Sequence, residues 1–187
     1  MRVLQIVFAV VAVLALPDVS SGAAAPSKGY LVIHGGGDSD PPMDEFVRLA
    51  GGPEARIVVL ATGKALLEHG ESHGKAFRER GVREVLVRHT NDRAVADSEA
   101  YAAAIESAHG VWLVSARQHR MADTYLGTRT EKALHALLAR GGVIGGGSAC
   151  ATIQGSYIVR GDRVSPDGGH IFDVRSGSRF LMRPNTK

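Results

Sequence analysis

The sequence predicts a single α/β domain built as three layers, with a mostly parallel sheet between helices. Short apolar runs rich in β-branched residues alternate with longer amphipathic stretches, and each run is closed by Gly, Asp or Thr. Such alternation is typical of βαβ units, whose strands are covered on both faces and therefore read as continuously apolar. A chain of 187 residues has the length of one domain with a sizeable core.

Five apolar runs predict strands, in the order Tyr30 to His34, Arg56 to Ala61, Glu84 to Arg88, Val111 to Ser115 and Val143 to Gly146. The stretches between them predict helices near Met43 to Ala50, Ala65 to Arg80, Ser98 to Ala108 and Thr130 to Arg140, followed by one that begins at Ala149. The helix before the last strand has the strongest signals. Thr128 and Glu131 have the spacing of a capping box, and Gly141 can supply the left-handed residue that ends the helix.

The first 25 residues have the order of a secretory signal peptide. Met1-Arg2 supplies the basic start, Val3 to Leu16 the apolar run, and Ser20 to Ala25 the small residues of a cleavage region. The run is shorter than the roughly 20 apolar residues of a membrane-spanning helix. We therefore expect a secreted or periplasmic protein whose domain covers residues 26 to 187, with tethering by an uncut leader as the alternative.

Composition and motifs argue against several classes of partner. Lys and Arg are scattered among Asp and Glu, so no nucleic-acid footprint is visible. Cys150 is the single cysteine, which excludes an internal disulfide. The glycine-rich segment Gly35 to Asp38 lacks the spacing of a dinucleotide fingerprint. His69 and His73 have the i, i+4 spacing of metal ligands but no third ligand nearby, which favours a solvated helix face over a metal site.

In an open parallel sheet, the functional crevice lies beyond the carboxyl ends of the strands. Three segments are expected at that edge, namely His34 to Asp38, Ser115 to Gln118 and Gly145 to Ala151.

The third segment has the pattern of a nucleophile elbow, a sharp strand-to-helix turn that carries a reactive serine. Small residues must stand two before and two after the nucleophile, and Gly146-Gly147-Ser148-Ala149-Cys150 meets that requirement. The N–H of Ala149 is then the first donor to an oxyanion formed beside Ser148. The alternative is that the glycines only allow close packing and that Ser148 is a helix N-cap.

Taken in order, the motifs resemble those of the cyanophycinase and aspartyl dipeptidase (dipeptidase E) family of serine peptidases. That family's fold is similar to class I glutamine amidotransferases and is flavodoxin-like in outline. Its glycine-rich first loop, Gly-Gly-Asp-Gln segment, Leu-x-Gly-Thr step and Gly-Thr-Ser-Ala-Gly-Ala elbow are matched by Gly35 to Asp38, Ser115 to Gln118, Leu126 to Thr128 and Gly146 to Ala151.

The resemblance implies a role for each matched residue. Ser148 is the nucleophile, Gln118 lines the substrate cleft, and the backbone near Ala116 helps Ala149 to hold the oxyanion. The implied reaction is hydrolysis of a small peptide or an aspartyl-linked polypeptide through an acyl-enzyme, without metal or organic cofactor. A homodimer is compatible with this interpretation.

The sequence departs from the family pattern in the second loop, at the elbow and at the base. Ser115, Ala116 and Arg117 replace two glycines and an aspartate, and Cys150 replaces an elbow glycine. The family's Asp-Gln-His segment, which carries the catalytic histidine, is absent. His170 is the single histidine after Ser148, and it is either the base or an exposed loop residue. The carboxylates available to orient it are Asp162, Asp167 and Asp173.

Two other interpretations stay open. In the first, the chain is a truncated or degenerate relative that lacks a working triad and leaves an edge strand uncovered. Alternatively, Cys150 is the nucleophile, since it too has small neighbours.

Overall fold

The structure is a computed structural model that describes residues 29–63 and 67–155, together with the backbone of residues 163–164 and 170–171. The leader predicted over residues 1 to 25 lies outside the described residues, as does Ala65 at the start of the second predicted helix.

Five parallel strands form the central sheet, in the spatial order β1-β5-β4-β2-β3. The strands are β1 (Tyr30–His34), β2 (Arg56–Thr62), β3 (Glu84–His89), β4 (Gly110–Ser115) and β5 (Val143–Gly147). All five strand predictions are confirmed, with bounds that differ by no more than one residue. The first strand pairs with the last, so that Tyr30 lies opposite Val143 and His34 opposite Gly147.

Seven α-helices and a short 3-10 helix (Gly52–Glu54) lie within the described residues. The α-helices are α1 (Asp40–Ala50), α2 (Leu67–Glu79), α3 (Arg93–Ala96), α4 (Glu99–Glu106), α5 (Gln118–Tyr125), α6 (Arg129–Ala139) and α7 (Ala149–Thr152). Five of them were predicted from the sequence. The short helices α3 and α5 were not predicted. The first is only four residues long, and α5 has no side-chain cap and includes the polar residue Thr124 on its buried face. No helix among the described residues is long and apolar enough to cross a bilayer.

Two apolar clusters fill the spaces on the two faces of the sheet. On one face, Phe46 of α1 and Phe77 of α2 pack against Trp112 of β4, with ring centroids 5.1 and 5.7 Å from the indole. On the other face, α4, α5 and α6 contribute residues such as Tyr125 and Leu134. The predicted three-layer α/β architecture is therefore confirmed.

The start and end of α6 follow their sequence signals. The Thr128 side chain accepts a hydrogen bond from the Glu131 N–H at 3.5 Å, and the Glu131 carboxylate accepts one from the Gly127 N–H at 2.6 Å. The second bond goes to the residue before the cap, which is a variant of the predicted capping box. Gly141 adopts a φ of 96°, the left-handed conformation expected after the helix.

The strand β1 lies at one edge of this sheet and is partly exposed. Within the described residues β1 pairs only with β5, and Ile33 and Tyr30 of β1 are 57% and 50% exposed. A separate antiparallel pair is formed by the backbone of β6 (Arg163–Val164) and β7 (His170–Ile171).

Candidate active site at the end of the last strand

The carboxyl ends of β1, β5 and β4 lie side by side, which brings the three predicted segments to one edge of the sheet. A backbone hydrogen bond of 2.9 Å from the Ser148 N–H to the His34 carbonyl joins two of them. A second link runs from the Cys150 thiol to the Ser115 carbonyl, with sulfur and oxygen 3.7 Å apart. The edge is thus assembled from strands that are distant in sequence.

Ser148 occupies the sharp turn that the sequence predicts. Its φ of 54° and ψ of −117° lie outside the common regions for L-residues, and it is the only non-glycine residue with positive φ in the part of the chain that the structure describes. A backbone of this kind costs of order 1–3 kcal/mol and is kept where surrounding structure enforces it. The residue itself is exposed.

Ser148 occupies the N-cap position of α7, as the alternative interpretation expects, but its side chain does not act as the cap. Its side chain makes no capping hydrogen bond to α7. The backbone carbonyl of Ser148 instead accepts hydrogen bonds from the Ala151 and Thr152 N–H groups at 3.0 and 3.1 Å. The hydroxyl is therefore not used to begin the helix.

Each glycine before Ser148 is required by a different neighbour. A Cβ at Gly145 would lie 2.6 Å from the Trp112 ring, and one at Gly146 would lie 2.6 Å from Cys150 Cβ. A Cβ at Gly147 would meet the His34 ring at 3.0 Å. The three glycines therefore let β5 approach the core, the elbow helix and β1.

Cys150 is an apolar-packing residue rather than a reactive thiol. It is 1% exposed, and burial raises the pKa of its thiol to about 12. Because the thiolate is the nucleophilic form, this environment opposes the alternative in which Cys150 attacks the substrate.

The loop after β4 is folded around the Ser115 hydroxyl. That hydroxyl donates to the Arg117 carbonyl at 3.0 Å and accepts from the Arg117 N–H at 3.3 Å. Ala116, at the tip between them, is exposed, and Gln118 follows as the half-buried first residue of α5. The segment Ser115 to Arg117 is therefore a turn held by two hydrogen bonds of the Ser115 hydroxyl.

The structure brings together four of the five predicted site residues, namely Ser148, Ala149, Ala116 and Gln118. His170 belongs to the short strand β7, and its side chain lies outside the described residues, as do all three aspartates proposed to orient it. Its role as a base stays a prediction. The first glycine loop is exposed, and its Asp38 carboxylate accepts a hydrogen bond from the Asp40 N–H at 3.0 Å, which fixes the start of α1.

His34 was expected at this edge of the sheet, but no role was predicted for it from the sequence. The residue is half-buried at the end of β1, and its ring lies against Gly147, immediately before Ser148. The available signal was its place as the last residue of a predicted strand. Among the residues that the structure describes, no group of three or more His, Cys, Asp or Glu side chains is arranged to hold a metal ion.

No protein-family model matches the sequence, and no curated protein sequence matches it significantly. The fold matches solved structures. The crystal structure of a peptidase from an acI-B1 Actinobacterium is similar with a TM-score of 0.51 and 16% sequence identity, over 77% of this chain and 63% of that one. This chain shares the peptidase's fold.

The likeness is to part of that protein, since the chain spans 63% of its length. A candidate peptidase E from Listeria monocytogenes EGD-e is also similar, with a TM-score of 0.46 and 16% identity over 61% of this chain and 56% of that one. The α/β fold predicted from the sequence is shared with the actinobacterial peptidase structure.

Proposed function

We propose that this protein is a serine hydrolase that cleaves peptides through an acyl-enzyme on Ser148. The observation that carries the proposal is the strained, exposed Ser148 turn at the carboxyl edge of a parallel sheet. A costly backbone conformation at a side chain that caps nothing is a feature of functional sites. The fold shared with a solved peptidase supports the same conclusion.

The proposed chemistry uses backbone donors on two neighbouring loops. Ser148 Oγ attacks the peptide carbonyl, and the resulting oxyanion is held by the N–H of Ala149, which as the first residue of α7 has no acceptor within the helix. The backbone of the turn at Ala116 supplies a second N–H donor to the same oxyanion. The link between Cys150 and Ser115 fixes the spacing of the two loops.

Specificity for aspartyl peptides is the finer part of the proposal. It is supported by the ordered motifs and by Arg117, which is exposed at the same edge and supplies a positive charge suited to a substrate carboxylate. We expect Arg117→Gln to raise KM for an aspartyl dipeptide while leaving KM for the alanyl counterpart unchanged. Equal changes for both substrates would argue against a role of Arg117 in specificity.

The test is covalent labelling of the full chain by a fluorophosphonate, followed by intact-mass measurement. We expect one adduct that disappears in Ser148→Ala, because the reagent reports an activated serine. Ser107→Ala is the matched control, since Ser107 is exposed at the opposite edge of the sheet, before β4.

An adduct that survives in Ser148→Ala would contradict the proposal. Absence of any adduct, together with no turnover of aspartyl dipeptides, would favour the non-catalytic interpretation.

A further inference from the structure

The proposed function requires a base for Ser148, and the structure brings a histidine from the other end of the domain to the elbow. A serine hydroxyl is a weak nucleophile unless a neighbouring group accepts its proton. We propose that His34 is that group, an inference that rests on the proposed role of Ser148. The imidazole of β1 would then act on the serine that follows β5.

The backbone places the two residues next to each other. His34 and Gly147 are register partners in the parallel pair β1 and β5, and the His34 carbonyl receives the Ser148 N–H at 2.9 Å. These contacts fix the position of Ser148 relative to β1, so that displacement of one residue displaces the other.

The side chain of His34 also lies close to the elbow, against Gly147. A methyl group at Gly147 would lie 3.0 Å from His34 Cδ2 and 3.8 Å from Cγ, so the Cδ2 side of the ring borders the space that this glycine leaves open. Cδ2 is bonded to Nε2, so a ring nitrogen is one bond from the contact. The glycine before the nucleophile is therefore the residue that admits the imidazole.

The ring is also available for proton transfer. His34 is half-buried, so part of the residue remains accessible to solvent. No described residue forms a hydrogen bond with the imidazole, whereas the rings of His89 and His73 are engaged by the carbonyls of Gly63 and His69 at 3.0 and 2.8 Å.

The reaction balances with this residue as base. The imidazole takes the proton from Ser148 Oγ as the oxygen bonds to the carbonyl carbon, and the imidazolium returns that proton to the leaving amine when the C–N bond breaks. Water then attacks the ester carbonyl and gives a proton to the imidazole. The imidazolium returns that proton to Ser148 Oγ as the acyl C–O bond breaks, which releases the carboxylic acid and regenerates both residues.

The experiment compares the rate of fluorophosphonate labelling of Ser148 in His34→Ala, His119→Ala and His170→Ala. His119 is included because its Nδ1 is buried without a hydrogen-bond partner in the described part of the chain, and His170 because the sequence predicts it as base. We expect His34→Ala to label about 100-fold more slowly or worse, and added imidazole to restore part of the rate. The other two variants should label at the wild-type rate.

Rescue by imidazole separates a proton acceptor from a residue that only holds the turn. His34→Gln, which retains the bulk of the side chain, should label as slowly as His34→Ala with an unchanged unfolding midpoint, and it guards against misfolding of the smaller variant. Wild-type labelling in both His34 variants, loss without rescue, or loss confined to His119→Ala or His170→Ala would overturn the assignment. Failure of the wild type to label at Ser148 would instead refute the proposed function.

Discussion

Substitution of Gly146 by alanine tests whether the turn at Ser148 depends on the close approach of Gly146 to Cys150, the residues two before and two after the serine. The new Cβ would lie 2.6 Å from Cys150 Cβ and 3.1 Å from the Leu113 carbonyl oxygen. Carbon atoms in good contact are about 3.5–4.0 Å apart, so the overlap approaches 1 Å. A Cβ cannot rotate away, so the backbone must shift, and overpacking of this kind costs about 1–3 kcal/mol.

The magnitude is measurable against the total stability. A domain of this size unfolds with about 5–15 kcal/mol, and Gly→Ala lowers the entropy of the unfolded chain, which offsets about 0.4–1 kcal/mol of the strain. We therefore expect Gly146→Ala to lower the free energy of unfolding by a net of about 1–2 kcal/mol. Denaturation of the full chain by guanidinium chloride, followed by circular dichroism, gives this value.

Two substitutions of Cys150, each combined with Gly146→Ala, isolate the contribution of the contact between residues 146 and 150. Cys150→Ala retains the Cβ, so Gly146→Ala should cost as much there as in the wild type. Cys150→Gly removes that atom, and the cost should fall by about 1 kcal/mol, although the approach to Leu113 remains. Equal costs in the two backgrounds would show that the clash with Cys150 does not determine the tolerance of the elbow.

The remaining predictions concern the strained backbone, the buried thiol and a buried hydroxyl network. Ser148→Gly should raise the free energy of unfolding by about 1 kcal/mol over Ser148→Ala, because glycine adopts positive φ without strain, and a lower stability would refute the presence of strain. The raised thiol pKa of Cys150 means that the unfolded state loses its proton first as pH rises. This contribution to stability is therefore present below about pH 9 and is lost on the way to about pH 12, so Cys150→Ala should show a shallower alkaline decline in thermal melts. Tyr125→Phe should cost about 1–3 kcal/mol in urea unfolding, because the Tyr125 hydroxyl accepts from Thr62 at 2.9 Å and contacts the Tyr101 hydroxyl at 3.2 Å, and both partners would remain buried. A neutral result would mean that water replaces the lost hydroxyl.

Local patterns were sufficient for the strands and for the serine turn. The continuous apolar run of β2 is covered by helices on both faces, so its sequence contains the strand signal without reference to the rest of the fold. Ser148 is similar, since the small residues that its turn requires are adjacent in the chain. Both features depend on neighbours in sequence.

The contribution of His34 could not be predicted in the same way. It depends on the pairing of β1 with β5, and nothing in the sequence of either strand states which strands are neighbours. The helix α5 was missed for a different reason: its apolar stripe of Met121, Ala122 and Tyr125 is only about one turn long, and the polar residue Thr124 is buried beside it. Long-range pairing and buried polar groups are the parts of the fold that periodicity does not reveal.

The hydrogen bond between Ser148 and His34 also has a consequence for the order of folding. It joins β1, the first strand of the five-stranded sheet, to the residue after β5, the last strand of that sheet in sequence, so it closes the longest loop between its paired strands. Contacts of such long sequence separation form late, because the entropy of closing the loop is lost before they are made. A nascent chain would therefore lack the Ser148 turn until β5 has emerged from the ribosome and paired with β1. The proposed hydrolytic activity would begin only once the domain is assembled.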